Sequence, residues 1–99
     1  MKSVRQLYNF IAYVVLYAPD RFPREDYLPD DQQMNLQRAF ERLRQGVDIA
    51  YPPDYHADKR APLNSLLDMA LASYQNGDLA EGARMLHEFE NNIFLAYPD

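Results

Sequence analysis

One short stretch of the sequence combines side chains that bind metal ions in other proteins. In DYHAD, Asp54, His56 and Asp58 alternate along the chain, and sets of carboxylates and imidazoles suit divalent metals. Three ligands on a proline-flanked loop do not by themselves define a coordination geometry. The simpler interpretation is a solvated polar loop, so we predict no metal at these residues.

A second stretch, HEFE, places His87 and Glu90 three residues apart, on one face of a helix. A zincin motif would need a second histidine where this chain has Asn91. A di-iron bundle uses the order Glu-x-x-His on two helices, and here the order is reversed and occurs once. We therefore predict a surface histidine, no metal and no cofactor.

Other catalytic patterns are weak. Glu25 with Asp26, or Glu88 with Glu90, offers paired carboxylates for acid–base chemistry, but fifteen acidic residues make such neighbours common by chance. The three glycines form no phosphate-binding loop and no serine lies in a nucleophile motif. There is no cysteine, which excludes disulfides and thiolate chemistry. We predict that the protein is not an enzyme.

The basic residues are too dispersed to predict nucleic-acid binding. Arg38 and Arg42 are spaced i, i+4, Arg44 follows, and Lys59 and Arg60 lie further along the chain. Acidic residues are interspersed among all of them. We therefore expect these cations to form ion pairs at the surface, and we predict no nucleic-acid partner.

The net charge of −5 is concentrated in the C-terminal part of the chain. Residues 1–60 hold nine acidic and nine basic residues, whereas residues 61–99 hold six acidic residues and one base, Arg84. Such a surface repels phosphate backbones and attracts a basic protein. A face that only promotes solubility is the alternative interpretation.

The eight tyrosines exceed what one small core requires. Tyr51 and Tyr55 lie in a proline-rich loop, where large rings with a polar tip suit a protein interface. We expect the stretch AYPPDYH to lie at the surface. Part of the tyrosine set must nevertheless fold back over the core.

Apolar spacing along the chain predicts an all-α domain of four helices, near residues 3–18, 31–46, 63–76 and 79–96. Two proline-rich loops, 19–29 and 51–61, separate them, and no segment alternates as a strand would. Asp30 with Gln33 predicts a capping box at the second helix. Gly46 is a candidate C-cap, or the helix continues towards Ala50, and Pro62 suits the first turn of the third helix.

The first helix carries two apolar stripes. Its apolar run is too short to span a bilayer and lacks a cleavage site, so we predict neither a membrane span nor a signal peptide. A helix that is apolar nearly all round is either central to the fold or part of an interface. The residues of the possible oligomer interface are Phe10, Tyr13, Tyr17, Phe94 and Tyr97.

The stretch ALASYQNGDLAEGARML resembles one tetratricopeptide-type helical hairpin. Tyr74 precedes the turn, Gly77 and Asp78 form it, and the small residue Gly82 and then Leu86 follow. The resemblance implies a tight antiparallel pair of helices. It covers about a third of the chain and a single repeat, whereas an array needs at least three repeats, so we interpret it as a packing solution.

These features together predict a non-catalytic, acidic protein-binding domain located in the cytoplasm. The leading hypothesis is an immunity or antitoxin-like inhibitor of a bacterial toxin, because a small acidic surface suits a cationic partner. The alternatives are a dimeric secretion chaperone or helical adaptor, and a small hydrolase that uses loop carboxylates and His56. The predicted partner-binding residues are Tyr51, Asp54, Tyr55, His56, Asp58, Glu81, Glu88 and Glu90.

Overall fold

A computed structural model describes residues 2–52, 54 and 57–94. Within these residues the chain is all-helical, as the apolar spacing predicts, and it contains no strand. The helices are α1 (Val4–Tyr17), α2 (Leu36–Ala50), α3 (Ala57–Gln75) and α4 (Leu79–Phe94), with a short 3-10 helix at Asp30–Gln32. α3 and α4 form the most extensive contact, α2 packs against α3, and α1 packs against α2 and α4.

α1 begins and ends close to its predicted boundaries. The Ser3 side chain accepts a hydrogen bond from the Gln6 amide and caps the helix. Pro19 lies just beyond the last turn, because a proline disfavours helical geometry in the residue before it. Leu7, Ile11 and Val14 are fully buried in the core. No helix in the described part of the chain is long and apolar enough to cross a membrane.

The predicted start of α2 is wrong by five residues. Asp30 opens the 3-10 helix, and Gln33 then adopts an extended backbone that ends it. The N-cap of α2 is Asn35, whose side chain accepts a hydrogen bond from the Arg38 amide at 2.9 Å. The Gln33 side chain, predicted to complete a capping box, instead bonds to backbone groups earlier in the chain.

Of the two predicted ends of α2, the structure has the later one, and Gly46 does not end the helix. The helix continues to Ala50, and Gly46 is buried beside Leu7 of α1. A side chain at position 46 would overlap Leu7, so the glycine permits the two helices to approach closely. Leu7 lies beside Gly46, and Phe10 lies under Arg42. Because the contact partner moves backwards along α2 as one moves forwards along α1, the two helices are antiparallel.

α3 begins six residues earlier than predicted, which shortens the second proline-rich loop. Pro62 lies inside the helix and not in its first turn. The extra turn is polar and has no apolar period, so spacing alone could not reveal it. Arg60 in this turn forms an ion pair with Asp48 of α2, and tertiary contact thus supports a segment that the sequence pattern assigns to a loop.

The hairpin of α3 and α4 confirms the predicted turn. Gly77 has a φ of 83°, which an L side chain rarely adopts, and the amide of Asp78 donates to the Ser73 carbonyl at 2.9 Å. The Asp78 carboxylate then accepts from the Glu81 amide at 3.2 Å and caps α4. Beyond the turn, Gly82 is buried against the Tyr74 ring.

We expect Gly82→Ala to destabilise the domain. A Cβ at position 82 would lie 2.8 Å from the Tyr74 ring, and the buried, rigid ring cannot move without disturbing the core. Overpacking typically costs about 1–3 kcal/mol, which exceeds the gain of about 1 kcal/mol in helix propensity. The measurement is the free energy of unfolding in urea.

The matched control is Asn91→Ala, because Asn91 is exposed on the same helix. An exposed substitution of this kind changes the free energy of unfolding by less than about 0.5 kcal/mol. A Gly82→Ala variant as stable as the wild type would contradict the packing argument.

Candidate functional site

A groove of about 380 Å³ lies between α1, α2 and the connecting segment 18–35; we refer to it as the α1–α2 groove. This volume is within the lower range of natural ligand pockets. α1 contributes rings to it, the connecting segment contributes a wall, and α2 contributes charged side chains. The lining residues are Phe10, Tyr13, Glu25, Tyr27, Leu28, Gln32, Met34, Arg38, Glu41, Arg42 and Gln45.

An aromatic cluster forms the α1 side of the groove. The Tyr13 ring centroid lies 5.5 Å from that of Phe10, 5.1 Å from that of Tyr17 and 5.6 Å from that of Phe22. These distances are typical of favourable aromatic pairs. Three rings predicted as an oligomer interface, those of Phe10, Tyr13 and Tyr17, thus contact one another within the chain and are partly buried.

The wall of the groove is held in place by one glutamine. The Gln33 Nε2 group donates to the carbonyls of Glu25 and Leu28, and its Oε1 atom accepts from the Glu25 amide, each at 2.8 Å. An ion pair between Arg24 and Asp30 closes the same segment. Tyr27 lies along the chain between the residues that make these contacts. Its side chain lines the groove and is 79% exposed.

The α2 side of the groove carries two arginines one helical turn apart. The Arg38 guanidinium donates to the carbonyl of Asp31. The Arg42 guanidinium lies over the Phe10 ring, 5.8 Å from its centroid, within the range of a cation–π contact. Both cations are therefore positioned by neighbouring groups while still lining the groove.

The surroundings of Tyr13 disfavour its ionised form. Burial, and then the negative charge of Glu25, raise the pKa of the Tyr13 hydroxyl above its usual value of 10.0, and Arg42 opposes this shift. The hydroxyl is neutral at neutral pH, as in other tyrosines, and can both donate and accept a hydrogen bond.

The predicted partner loop is only partly described. Tyr51 is 4% exposed and belongs to the core, so the expectation that it lies at the surface is wrong. Its backbone caps the end of α2, and its side chain is buried. Asp54 and Asp58 are exposed. Tyr55 and His56 lie outside the described residues.

Much of the acidic charge of the C-terminal hairpin is paired within the chain. Arg84 bridges Glu81 at 2.5 Å and Glu88 at 2.7 Å, and its hydrogen bond lowers the pKa of the Glu81 carboxyl. Arg44 of α2 forms an ion pair with Asp68 of α3. Glu90, the remaining predicted acidic contact residue, is half-buried.

The predicted interface at the end of α4 also has partners within the chain. The Phe94 ring packs edge-on against Tyr8 of α1 at 5.1 Å. Tyr97 lies outside the described residues. No three His, Cys, Asp or Glu side chains within residues 2–52, 54 and 57–94 are close enough together to hold a metal ion.

Sequence reasoning missed the groove because its parts come from distant positions. Arg38 and Arg42 were expected to form surface ion pairs, yet neither pairs with a carboxylate within the described residues, whereas Arg44 and Arg60 do. The signal that could have identified them is their i, i+4 spacing on the helix that follows an exposed tyrosine, Tyr27.

Comparison of the chain with models of protein families, with curated protein sequences and with solved structures finds no match.

We expect Gln33→Ala to loosen the wall of the groove. The substitution removes three hydrogen bonds of the connecting segment. Because the site is partly solvated, water replaces part of the loss, and we expect a destabilisation of about 1–2 kcal/mol. Amide hydrogen exchange should accelerate at Glu25, whose N–H loses its acceptor.

Gln37→Ala is the control, since Gln37 is exposed on α2 and forms no hydrogen bond through its side chain to the described residues. Unchanged exchange at Glu25 in Gln33→Ala would show that the wall does not depend on this side chain.

Proposed function

We propose that this protein is a non-catalytic protein-binding domain and that its partner docks in the α1–α2 groove. The observation that carries the proposal is the groove itself, in which aromatic rings line one side and two guanidinium groups the other. Interfaces concentrate their binding energy in tyrosine, tryptophan and arginine side chains that converge on a small area.

The groove is built before a partner arrives, which favours binding. The hydrogen bonds of Gln33 and the Arg24–Asp30 ion pair hold the connecting segment in place. Phe22 of this segment also packs against the Tyr13 ring. A preformed site loses little conformational entropy on association. Tyr27 is the most exposed of the large apolar side chains in the described residues, and a partner that covered it would remove its ring from water.

The composition of the groove favours a role in binding over a role in catalysis. Its described lining residues include no histidine, serine, threonine or cysteine, so it lacks the serine–histidine or cysteine–histidine pair of many hydrolases. Glutamates are its acidic groups and arginines its cations. These side chains are suited to recognising an amphipathic segment of another protein.

The test is selection of short random peptides that bind the immobilised protein, followed by mapping of their site. We expect bound peptides to shift the backbone amide resonances of Tyr27, Met34 and Arg38. Tyr27→Ala should weaken their affinity at least about tenfold, because truncating an exposed anchor removes most of its contact area. Dissociation constants are measured by fluorescence anisotropy.

Tyr8→Ala is the matched control, because Tyr8 is a tyrosine that is 49% exposed and does not line the groove. Its variant should bind the selected peptides as the wild type does. Peptides that bind elsewhere, or that tolerate Tyr27→Ala, would overturn the proposed site.

The inhibitor function predicted from the sequence is a second candidate, and the acidity of the hairpin favours it. Residues 61–94 carry five carboxylates and one base, Arg84. Although Arg44 and Arg84 pair with three of these carboxylates, the local charge remains negative. Such a surface accelerates association with a basic protein, and a toxin with a cationic active site is the partner of that type.

This candidate is tested with the protein encoded by the neighbouring gene. If that protein is a toxin, the present chain should bind it, and Glu88→Lys should weaken the complex and flatten its dependence on salt concentration. Asp20→Lys reverses an exposed charge outside the hairpin and should change neither property. Equal affinity of Glu88→Lys and wild type would count against the acidic surface.

A further inference from the structure

Half of the arginines in the described residues are paired with carboxylates, and the groove arginines are not among them. Arg24, Arg44, Arg60 and Arg84 each form an ion pair. Within residues 2–52, 54 and 57–94, Arg38 and Arg42 form none, although acidic residues are abundant. Their guanidinium groups therefore retain N–H donors that no carboxylate of the described residues accepts from.

Both groove arginines are nevertheless held in position. Arg38 uses one NH2 group on the Asp31 carbonyl, which anchors it to the wall. Arg42 stacks on Phe10, which restricts the guanidinium without using its in-plane donors. A guanidinium fixed in this way loses little further entropy when it binds an anion, and its planar fork matches a carboxylate in two-point contact.

We propose that the α1–α2 groove recognises a carboxylate that lies next to an aromatic side chain in a peptide segment of the partner. The carboxylate binds Arg38 and Arg42, and the neighbouring ring packs against Phe10, Tyr13 and the exposed Tyr27. This inference rests on the proposed function, since it names the chemistry that the same groove selects.

The volume and charge of the groove restrict the occupant further. About 380 Å³ accommodates a short segment and not a folded element. Glu25 and Glu41 also line the groove, so its formal charge is zero and it exerts no strong long-range attraction. Selection of the carboxylate therefore arises from directed hydrogen bonds at the two arginines.

The test compares blocked peptides that differ by one functional group. A peptide with the core Gly-Phe-Asp-Gly carries a side-chain carboxylate, and Gly-Phe-Asn-Gly is its neutral isostere. Gly-Gly-Phe with a free C-terminus carries a terminal carboxylate, and its amidated form is neutral. We expect a carboxylate peptide to bind about tenfold more tightly than its neutral counterpart, and the two pairs distinguish the two sources of carboxylate.

Variants of the arginines assign the effect to the site. Arg42→Gln and Arg38→Gln should each remove the preference for the carboxylate and leave the weak binding of the neutral peptides. Arg42→Lys keeps the charge but loses the planar fork, so it should retain only part of the preference. Arg5→Gln is the matched control, because Arg5 is an exposed arginine on α1 outside the groove that pairs with no carboxylate of the described residues. Circular dichroism and thermal unfolding confirm that each variant folds.

The outcomes separate this inference from the proposed function. Equal affinity for the carboxylate and neutral peptides, at a site that Tyr27→Ala still disrupts, would overturn the carboxylate inference and leave the groove as a binding site. A carboxylate preference that survives both Arg38→Gln and Arg42→Gln would also overturn it. Absence of binding by every peptide of both pairs, together with failure of the library selection, would overturn both proposals.

Discussion

The packing of two apolar stripes on α1, one fully buried and one partly buried, is the constraint on which the rest of the structure depends. Leu7, Ile11 and Val14 occupy the core between α2 and α4, and each fully buried side chain contributes about 1.5–3 kcal/mol relative to exposure. The second stripe, with Phe10 and Tyr13, is left outside this core. The connecting segment covers part of it by placing Phe22 on Tyr13, and the part that remains uncovered is one side of the groove.

The close approach of α1 and α2 links this packing to the proposed function. Gly46 has no side chain to separate Leu7 from α2, so the two antiparallel helices approach closely at this point. About one turn away on each helix, the same pair of helices presents Phe10 opposite Arg42. A disturbance at the Leu7–Gly46 contact would therefore reach the groove through two rigid helices and not through a flexible loop.

Charge is distributed so that structural and recognition roles are separate. Arg44 and Arg60 each connect α2 and α3 through an ion pair, and surface pairs of this kind contribute little stability, typically 0–1 kcal/mol. Their larger consequence is that the guanidinium groups of Arg44 and Arg60 are already paired with carboxylates of the chain. Arg38 and Arg42 contact a carbonyl and a ring instead, which leaves them as the cations suited to a partner's carboxylate in the proposed site.

The sequence by itself determined the features that depend on neighbouring residues. The all-α class follows from apolar spacing, the stop at Pro19 from proline sterics, and the hairpin turn from the φ of 83° that Gly77 tolerates. Tertiary structure decided the features that depend on distant residues. Asn35 and not Asp30 caps α2 because the Gln33 amide bonds to the connecting segment, and Tyr51 turns inward because core packing outweighs its exposure in a loop. The groove belongs to this second group, since the rings of α1 and the guanidinium groups of α2 are separated by more than twenty residues and meet only when the helices pack.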